Sequence, residues 1–386
     1  MRILTVLTYY RPHTSGLTIY AERLARALAR RGHQVTVFTT QYDRILARDE
    51  MQHGVRVIRA PVAYRISKGV IAPTFGLMAT RLVKENDVVH LHLPQLDAPG
   101  VALRGRLLRK PTVLTYHCDL ALPPGPINFF LNRGVHLLHH LAAKLADRIV
   151  TYTQDYADNS PYLSHYKHKL QIIPPPVELP TVLNGEIEVF AKAHNTSERQ
   201  PVIGMAARLA AEKGVEVLLD ALPSIIEKYP QTQVLFAGQY EDVLGEKEYY
   251  NRLLPVIRKY QQQGQWEFLG VLNPSQMAAF YPNLDVLVVP SLNSTEAFGL
   301  VQIEAMMHGI PCVASALPGV RQPILTTGMG KVVPVGDPTA FASAIQAILA
   351  QPDQFQKDPL AIAQRFTPDA IASMYEEMFE DILTKK

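Results

Sequence analysis

The chain reads as an α/β protein with two parallel sheets, each covered by helices on both faces. Three observations lead there. Short runs rich in Val, Ile and Leu alternate with helical stretches along most of the 386 residues, the rhythm of parallel strands joined by crossover helices. The rhythm breaks once, at Pro174-Pro175-Pro176 and a polar stretch to Gln200, and then starts again. A chain of 386 residues is also long enough for two or three separate cores.

In order, strands are expected near Ile3–Leu7, Val35–Thr39, Val55–Ile58, Val88–Leu91, Thr112–Tyr116, Ile149–Tyr152 and Leu170–Ile173. Helices lie between them, for example Ile19–Arg31, closed by Gly32, and a His-rich one over His136–Arg148. The second half continues with strand Val202–Ala206, helix Val215–Tyr229, strand Val234–Ala237, helix Glu248–Gln262 and strand Trp266–Phe268. Helix Pro274–Tyr281, strand Val286–Val289, strands near Cys312–Ala314 and Val332–Val333, and helices Pro338–Ala350 and Pro368–Leu383 complete it. The expected domains are 1–178 with 368–386, a linker with insertion over 179–200, and 201–367.

Apolar residues make up 47% and charged residues 19% of the chain, an ordinary globular composition. Nothing approaches a run of about 20 uncharged apolar residues, so no membrane-spanning helix is expected. The N-terminus enters a strand without a signal-peptide core, and Cys118 and Cys312 fall in different halves, so the expected setting is reduced and cytoplasmic. The net charge of +3 hides an asymmetry: residues 1–180 carry 23 basic and 12 acidic residues, the remainder 15 and 23. Two readings of the basic half stand level. Its segment Arg104–Lys110, with Ile127–Arg133 and the His-rich helix, could meet an anionic membrane surface, which would make the protein peripheral on the inner membrane face; or the two halves attract each other. No nucleic-acid module is visible, so nucleic acid is not an expected partner.

The most telling segment is Glu296-Ala-Phe-Gly-Leu-Val-Gln-Ile-Glu304, two carboxylates with seven residues between them. It follows the strand and a polar loop, and turns helical before His308-Gly309. Glu296 is thus expected in a loop and Glu304 about a turn inside a helix. The intervening helix start, with unpaired N–H groups and a positive dipole end, suits a phosphate. Upstream, Arg208 and Lys213 flank a turn closed by Gly214 after a strand. A planar guanidinium and an ammonium together can neutralise a diphosphate. In the first half, Gly16 precedes a helix after strand one, and His117 ends a strand, where parallel-sheet sites form. His90 and His92 read as one packed inward and one at a cleft edge, and His136, His139 and His140 as surface residues. Asp-x-Asp, H-E-x-x-H and C-x-x-C are all absent, so no metal site is expected.

The Glu296…Glu304 segment with its Phe-Gly-Leu insert, and the Gly204…Arg208-Leu209…Lys213-Gly214 pattern, resemble the retaining glycosyltransferases of family 4, which have the GT-B fold. The resemblance spans nearly the whole chain. It implies two Rossmann-like domains facing each other across a cleft, with the last helix crossing back to the N-terminal, acceptor-binding domain. It implies transfer of a sugar from a UDP- or GDP-sugar to an acceptor hydroxyl with retention, without a metal or other cofactor. The acceptor would be a membrane lipid or a saccharide. In the roles it implies, Arg208 and Lys213 hold the donor diphosphate and Glu304 the ribose. The backbone of Phe298, Gly299, Leu300 and Val301 meets the donor sugar and phosphate, and Gly16 a phosphate. Glu296 and His117 stand at the reacting sugar, with domain closure excluding water. Departures occur at Gly16-Leu17, at Gly238-Gln239-Tyr240 and at Ile173-Pro-Pro-Pro-Val177, where relatives often carry a second glycine, two glycines and Pro-Asn-Gly. Competing readings are a sugar-nucleotide 2-epimerase on the same fold and a non-catalytic sugar-nucleotide binder. A nicotinamide dehydrogenase is disfavoured because no G-x-G-x-x-G follows a strand.

Overall fold

The computed structural model describes residues 1–66, 69–119, 126–178, 180–195 and 197–385, with side chains left aside at 66 and 126–131. It divides into two units, Met1–Val177 with Arg365–Lys386, and Glu178–Gln364.

The first unit contains β1 (Arg2–Val6), α1 (Gly16–Arg30), β2 (Gln34–Gln41), β3 (Asp49–Gln52), β4 (Val55–Pro61), β5 (Tyr64–Ile66), β6 (Gly69–Ile71) and α2 (Phe75–Glu85). It continues with β7 (Val88–Leu93), α3 (Ala98–Leu107), β8 (Thr112–Tyr116), α4 (Pro126–Leu145), β9 (Arg148–Thr151), α5 (Gln154–Asn159) and β10 (Leu170–Ile172). Eight of these strands form one sheet in the order β10-β9-β8-β7-β1-β2-β4-β3. All its pairs are parallel except the β3–β4 edge. The central strands β7 and β8 are buried along their whole length, so the His and Thr side chains they carry are buried with them. Helix α1 starts on a reciprocal cap between Ser15 and Thr18.

The second unit holds α6 (Asn184–His194), β11 (Val202–Ala206), α7 (Val215–Lys228), β12 (Gln233–Ala237), α8 (Lys247–Gln262), β13 (Trp266–Gly270), α9 (Pro274–Phe280) and β14 (Val286–Val289). It ends with α10 (Leu300–Met306), β15 (Cys312–Ser315), α11 (Gln322–Thr327), β16 (Gly330–Val333) and α12 (Pro338–Ala350), and α13 (Pro359–Phe366) runs out of it. Its six strands, all parallel, run β13-β12-β11-β14-β15-β16. Ile203, Leu218, Val234, Val286, Phe341 and Ile345 belong to its core.

The final helix, α14 (Pro368–Thr384), belongs to the first unit. The Tyr375 hydroxyl lies 2.6 Å from that of Tyr20 in α1, and Glu376 pairs with Arg31 and His33 at 2.5 and 2.9 Å.

Several local expectations change. The stretch expected as linker with insertion carries α6, whose Phe190 is buried and whose ring stands 6.4 Å from that of Phe280. The His-rich helix begins at Pro126 and stops at Leu145, and Arg148 starts a strand. His139, expected at the surface, is buried. His90 and His92 are both 0% exposed rather than divided between interior and edge. Residues two apart on a strand share one face, so the two histidines could not have been separated.

Candidate active site

Two features of the second unit bring the sequence motifs together. Strands β11 and β14 are neighbours, with Ile203 opposite Val286. The strand order reverses between them, and ligand crevices of open α/β sheets form at the carboxyl ends of such a pair. The loop after β11 carries Arg208 and Lys213, and the loop after β14 carries Glu296.

Gly214 makes the close approach possible. Its φ is +68°, and a Cβ there would meet the Pro290 carbonyl oxygen at 2.1 Å, so only glycine lets the first loop lie on the end of β14. The Leu292 N–H then donates to the Glu212 carbonyl at 2.9 Å. Lys213 Nζ reaches Glu296 Oε2 at 2.5 Å, across 83 residues of sequence. The other Glu296 oxygen accepts from the Gly299 N–H at 3.0 Å. Gly299 has φ +76°, and a Cβ there would strike Gln302 Nε2 at 2.7 Å. The buried Gln302 amide donates to the Phe298 and Val320 carbonyls at 3.1 and 2.8 Å, which fixes the Phe-Gly-Leu step. The Phe298 side chain is buried in the core; Leu300 and Val301 begin α10 and are half-buried.

Glu304 lies in the second turn of α10, 8% exposed, and accepts from the Tyr281 hydroxyl at 2.7 Å. Arg208, half exposed, pairs with Glu212 at 3.0 Å. Thus Lys213 and Glu296 meet directly, Arg208 stands in the same loop with its own carboxylate, and Glu304 stands one turn beyond. Tyr281, Glu212 and Gln302 support the site without having been singled out. Tyr281 and Glu304 are 23 residues apart with no local signal, whereas a Gln inside an apolar helix stretch could have been noticed.

The first unit places Gly16 at the exposed start of α1 and His117 just past β8. His117 is 7% exposed and belongs to a buried network. Its Nε2 is 2.9 Å from His92 Nδ1, and its Nδ1 is bonded to the Tyr152 hydroxyl. Nearby, His90 Nε2 meets the Thr115 hydroxyl at 2.7 Å, and that hydroxyl meets Tyr375 at 2.7 Å. Burial pushes the pKa of His90 and His117 well down and that of His92 to about 3, so all three rings are neutral. His92 Nε2 has no partner. An unmatched acceptor costs less than an unmatched N–H, so His92 donates from Nδ1 to His117 Nε2. His117 in turn donates from Nδ1 to Tyr152. Both nitrogens of His117 are engaged inside the protein.

The basic segment stands elsewhere. Arg106, Arg109 and Lys110, with Asp87, Asp147 and Leu383, line a cavity of about 680 Å³ beside the start of β8, the end of that strand away from His117. The side chains of Ile127–Leu131, expected to extend this surface, lie outside the described residues. Among the described residues, no three His, Cys, Asp or Glu are gathered to hold a metal, and no helix is long and apolar enough to cross a membrane.

Known proteins similar to this chain match it along nearly its whole length. Residues 186–365 match the family model described as glycosyl transferases group 1, and residues 15–176 match the glycosyl transferase 4-like domain. A glycogen synthase of Mycobacterium tuberculosis is 28% identical over 96% of this chain and 91% of its own length. A phosphatidyl-myo-inositol mannosyltransferase of Mycobacterium leprae is 24% identical over 100% and 98%. Among solved structures, Anabaena HepE in complex with UDP-glucose superposes with a TM-score of 0.78 at 19% identity, covering 99% of this chain and 100% of that one. Sucrose-phosphate synthase from Thermosynechococcus elongatus gives 0.73 at 21%, covering 100% of each.

Proposed function

The chain belongs to the glycosyltransferases of the GT-B fold, and on that premise we propose that it moves a sugar from a UDP- or GDP-sugar to an acceptor hydroxyl, with retention and without a metal. The contact between Lys213 and Glu296 carries this reading. It joins a cationic loop to an acidic one at a strand-order reversal, where a charged ligand has partners of both signs.

The present pairing is one a donor can exchange. A half-buried ion pair between two flexible side chains is worth about 1 kcal/mol. A diphosphate brings two to three negative charges and several acceptor oxygens, so it outcompetes a single carboxylate for Lys213. Arg208, half exposed and one loop residue from a strand end, swings from Glu212 to the same diphosphate. Glu296, released, turns to the hydroxyls of the transferred sugar. Glu304, held by Tyr281, receives the ribose, and the backbone from Phe298 to Val301 lines the donor. These cations do the work that a divalent ion does in other transferases.

In the first unit, Gly16 meets a donor phosphate. His117, neutral and braced at both nitrogens, shapes the reacting centre and need not be the base. The acceptor proton passes to the donor phosphate. The acceptor is a saccharide or a membrane lipid. For the lipid case, the basic segment near Arg106 and Lys110 gives the protein a peripheral place on the anionic inner membrane face.

A thermal-shift screen with UDP, GDP, ADP and their sugars tests the donor, because a ligand of the folded state raises the melting temperature by mass action. The expected result is a shift with UDP or GDP, followed by transfer in the presence of a chelator and an axial or equatorial product linkage matching the donor. An epimer formed from donor alone, or binding without turnover across acceptors, would instead support the two alternative readings.

A further inference from the structure

A cluster of cations that the donor roles leave unused lies in the first unit, at the amino ends of its strands. Arg106, Arg109 and Lys110 line the cavity of about 680 Å³ beside the start of β8, and every residue of its wall belongs to that unit. His117 lies at the other end of β8, about 15 Å along the strand.

The acidic residues of this cavity are already committed. The Asp87 carboxylate takes the Arg2 guanidinium at 2.7 Å and the Arg2 N–H at 2.8 Å, while the Asp87 N–H donates to the Arg2 carbonyl at 2.8 Å. Asp147 accepts from the Thr112 N–H at 2.8 Å, and its own N–H donates to the Thr112 carbonyl at 2.7 Å. Each carboxylate thus ties two strand starts together. The cations are less engaged. Among the described residues, the Arg106 and Arg109 side chains form no ion pair and no hydrogen bond, and Lys110 adds only its field beside Asp87. Behind them Lys169, a like charge to Arg106, spends its ammonium on the Ala143, Lys144 and Ala146 carbonyls at 3.1, 3.0 and 2.7 Å.

The backbone at Arg109 is a second, independent observation. Helix α3 ends in a Schellman turn, in which the Lys110 N–H donates to the Gly105 carbonyl at 2.8 Å and the Arg109 N–H to the Arg106 carbonyl at 3.2 Å. Gly105 lies so close to β8 that a Cβ there would meet Thr112 Oγ1 at 2.2 Å, so the turn is held against the strand. Arg109 has φ +54°, the left-handed position that glycine usually fills and a side chain resists. Offsetting the negative end of α3 accounts for Arg104 and Arg106 in its last turn. It does not call for an arginine where glycine is easier. Strain of this kind collects where a side chain is needed.

We propose that Arg106, Arg109 and Lys110 form a phosphate site, apart from the cationic loop of the second unit, for a small soluble phosphate monoester. Two guanidinium forks and an ammonium suit the doubly charged, three-oxygen end of such an ester. The volume lies in the range of small-molecule sites. The roles above use this segment only for a lipid acceptor, as charge facing a bilayer. A bilayer is met by a face, whereas a recess takes a whole small ester. Leu383, in the last turn of α14, forms part of the wall, so an occupant ties the end of α3 to the end of α14. The site goes beyond the transferase reading and does not depend on it.

Titration with glycerol 3-phosphate and with inorganic phosphate, followed by ³¹P line width at fixed ionic strength, reads binding in the native protein and in Lys213→Ala, which silences the second unit's cationic loop. The expected result is equal broadening in the two. Hydrogen exchange over residues 105–110 and 380–384 should slow with glycerol 3-phosphate and not with glycerol. Arg109→Gly should leave the free protein at least as stable, because glycine fits the turn, yet weaken ester binding about tenfold. Arg106→Gln, at an exposed side chain, should weaken it in the same direction and serves as the second variant. Absence of binding in the native protein, equal binding in both arginine variants, or its loss in Lys213→Ala overturns the site. Sedimentation with equimolar phosphatidylglycerol and phosphatidylcholine vesicles that both arginine variants abolish, with no soluble ester bound, also overturns it and gives the cations to a bilayer.

Discussion

The two units satisfy the polar groups near the carboxyl ends of their inner strands in opposite ways. In the second unit the key groups are charged, half-exposed and paired by single contacts: Lys213 with Glu296 and Arg208 with Glu212. In the first unit the groups around His117 are neutral, buried and bonded to one another through His92, Tyr152, Thr115 and Tyr375. An exchangeable charge pair suits a ligand that arrives and leaves with its own charge. A closed neutral network suits a wall whose shape must not change. In the function proposed above, the charged pairs of the second unit take the donor and the neutral network of the first shapes the reacting centre.

The sharpest way to break this contrast is Lys213→Ala. The cationic loop should lose its main charge, and turnover should fall about 100-fold with the melting temperature nearly unchanged, because the pair it breaks is half-exposed. Near-native rates would mean that the charge pair is ornamental. Next is Gly214→Ala. The added Cβ collides with the Pro290 carbonyl, so a loss of about 2 kcal/mol in denaturant unfolding is expected, together with a drop in nucleotide affinity as Lys213 moves from Glu296. A variant that is fully stable yet still binds nucleotide would remove the glycine from the account.

Acid should separate the units. Burial lowers the pKa of His92 to about 3 and of His139 to about 4, and holds that of His90 and His117 well below the ordinary histidine value. All four lie in the first unit. Their folded pKa values lie below the unfolded value of about 6.5, so the unfolded chain binds more protons between them. The stability these residues contribute is therefore complete above about pH 6.5 and is lost as pH falls towards 3 or 4. Hydrogen exchange read by mass spectrometry near pH 4.5 should show β7 and β8 opening before β11 and β14, and His92→Gln should weaken the trend. Simultaneous opening of both sheets would contradict it. The smallest effect is expected from Tyr281→Phe, which deletes one hydrogen bond to Glu304. A cost of about 1 kcal/mol should appear as a several-fold rise in the donor KM, with kcat held.

The same contrast explains what could be read from the sequence. The charged site was legible because its members are close in sequence: Arg208, Lys213 and Gly214 in one loop, Glu296 to Glu304 in another. Each follows an apolar strand that announces the parallel sheet. That those loops meet was also readable, given a resemblance that supplies the strand order. The neutral network was not legible. His92 and His117 are 25 residues apart, and Thr115 and Tyr375 are 260 apart. Isolated His, Thr and Tyr residues carry no pattern until the sheet and α14 bring them together. His90 and His92 share one face of β7, and that face is buried to the end of the strand, which the two-residue spacing alone does not reveal. The fully buried Arg59, by contrast, looks like any other arginine near the end of a strand; only the loops that fold over it make it structural.

The central claim is that the second unit's cationic loop recognises a diphosphate. Calorimetric titration with UDP or GDP, against uridine or guanosine, tests it most directly. The account predicts that the diphosphate adds about two orders of magnitude in affinity, and that Lys213→Ala and Arg208→Ala each erase much of that gain while leaving nucleoside binding as it was. Equal affinity for nucleoside and nucleoside diphosphate, or undiminished diphosphate binding in both variants, would contradict it.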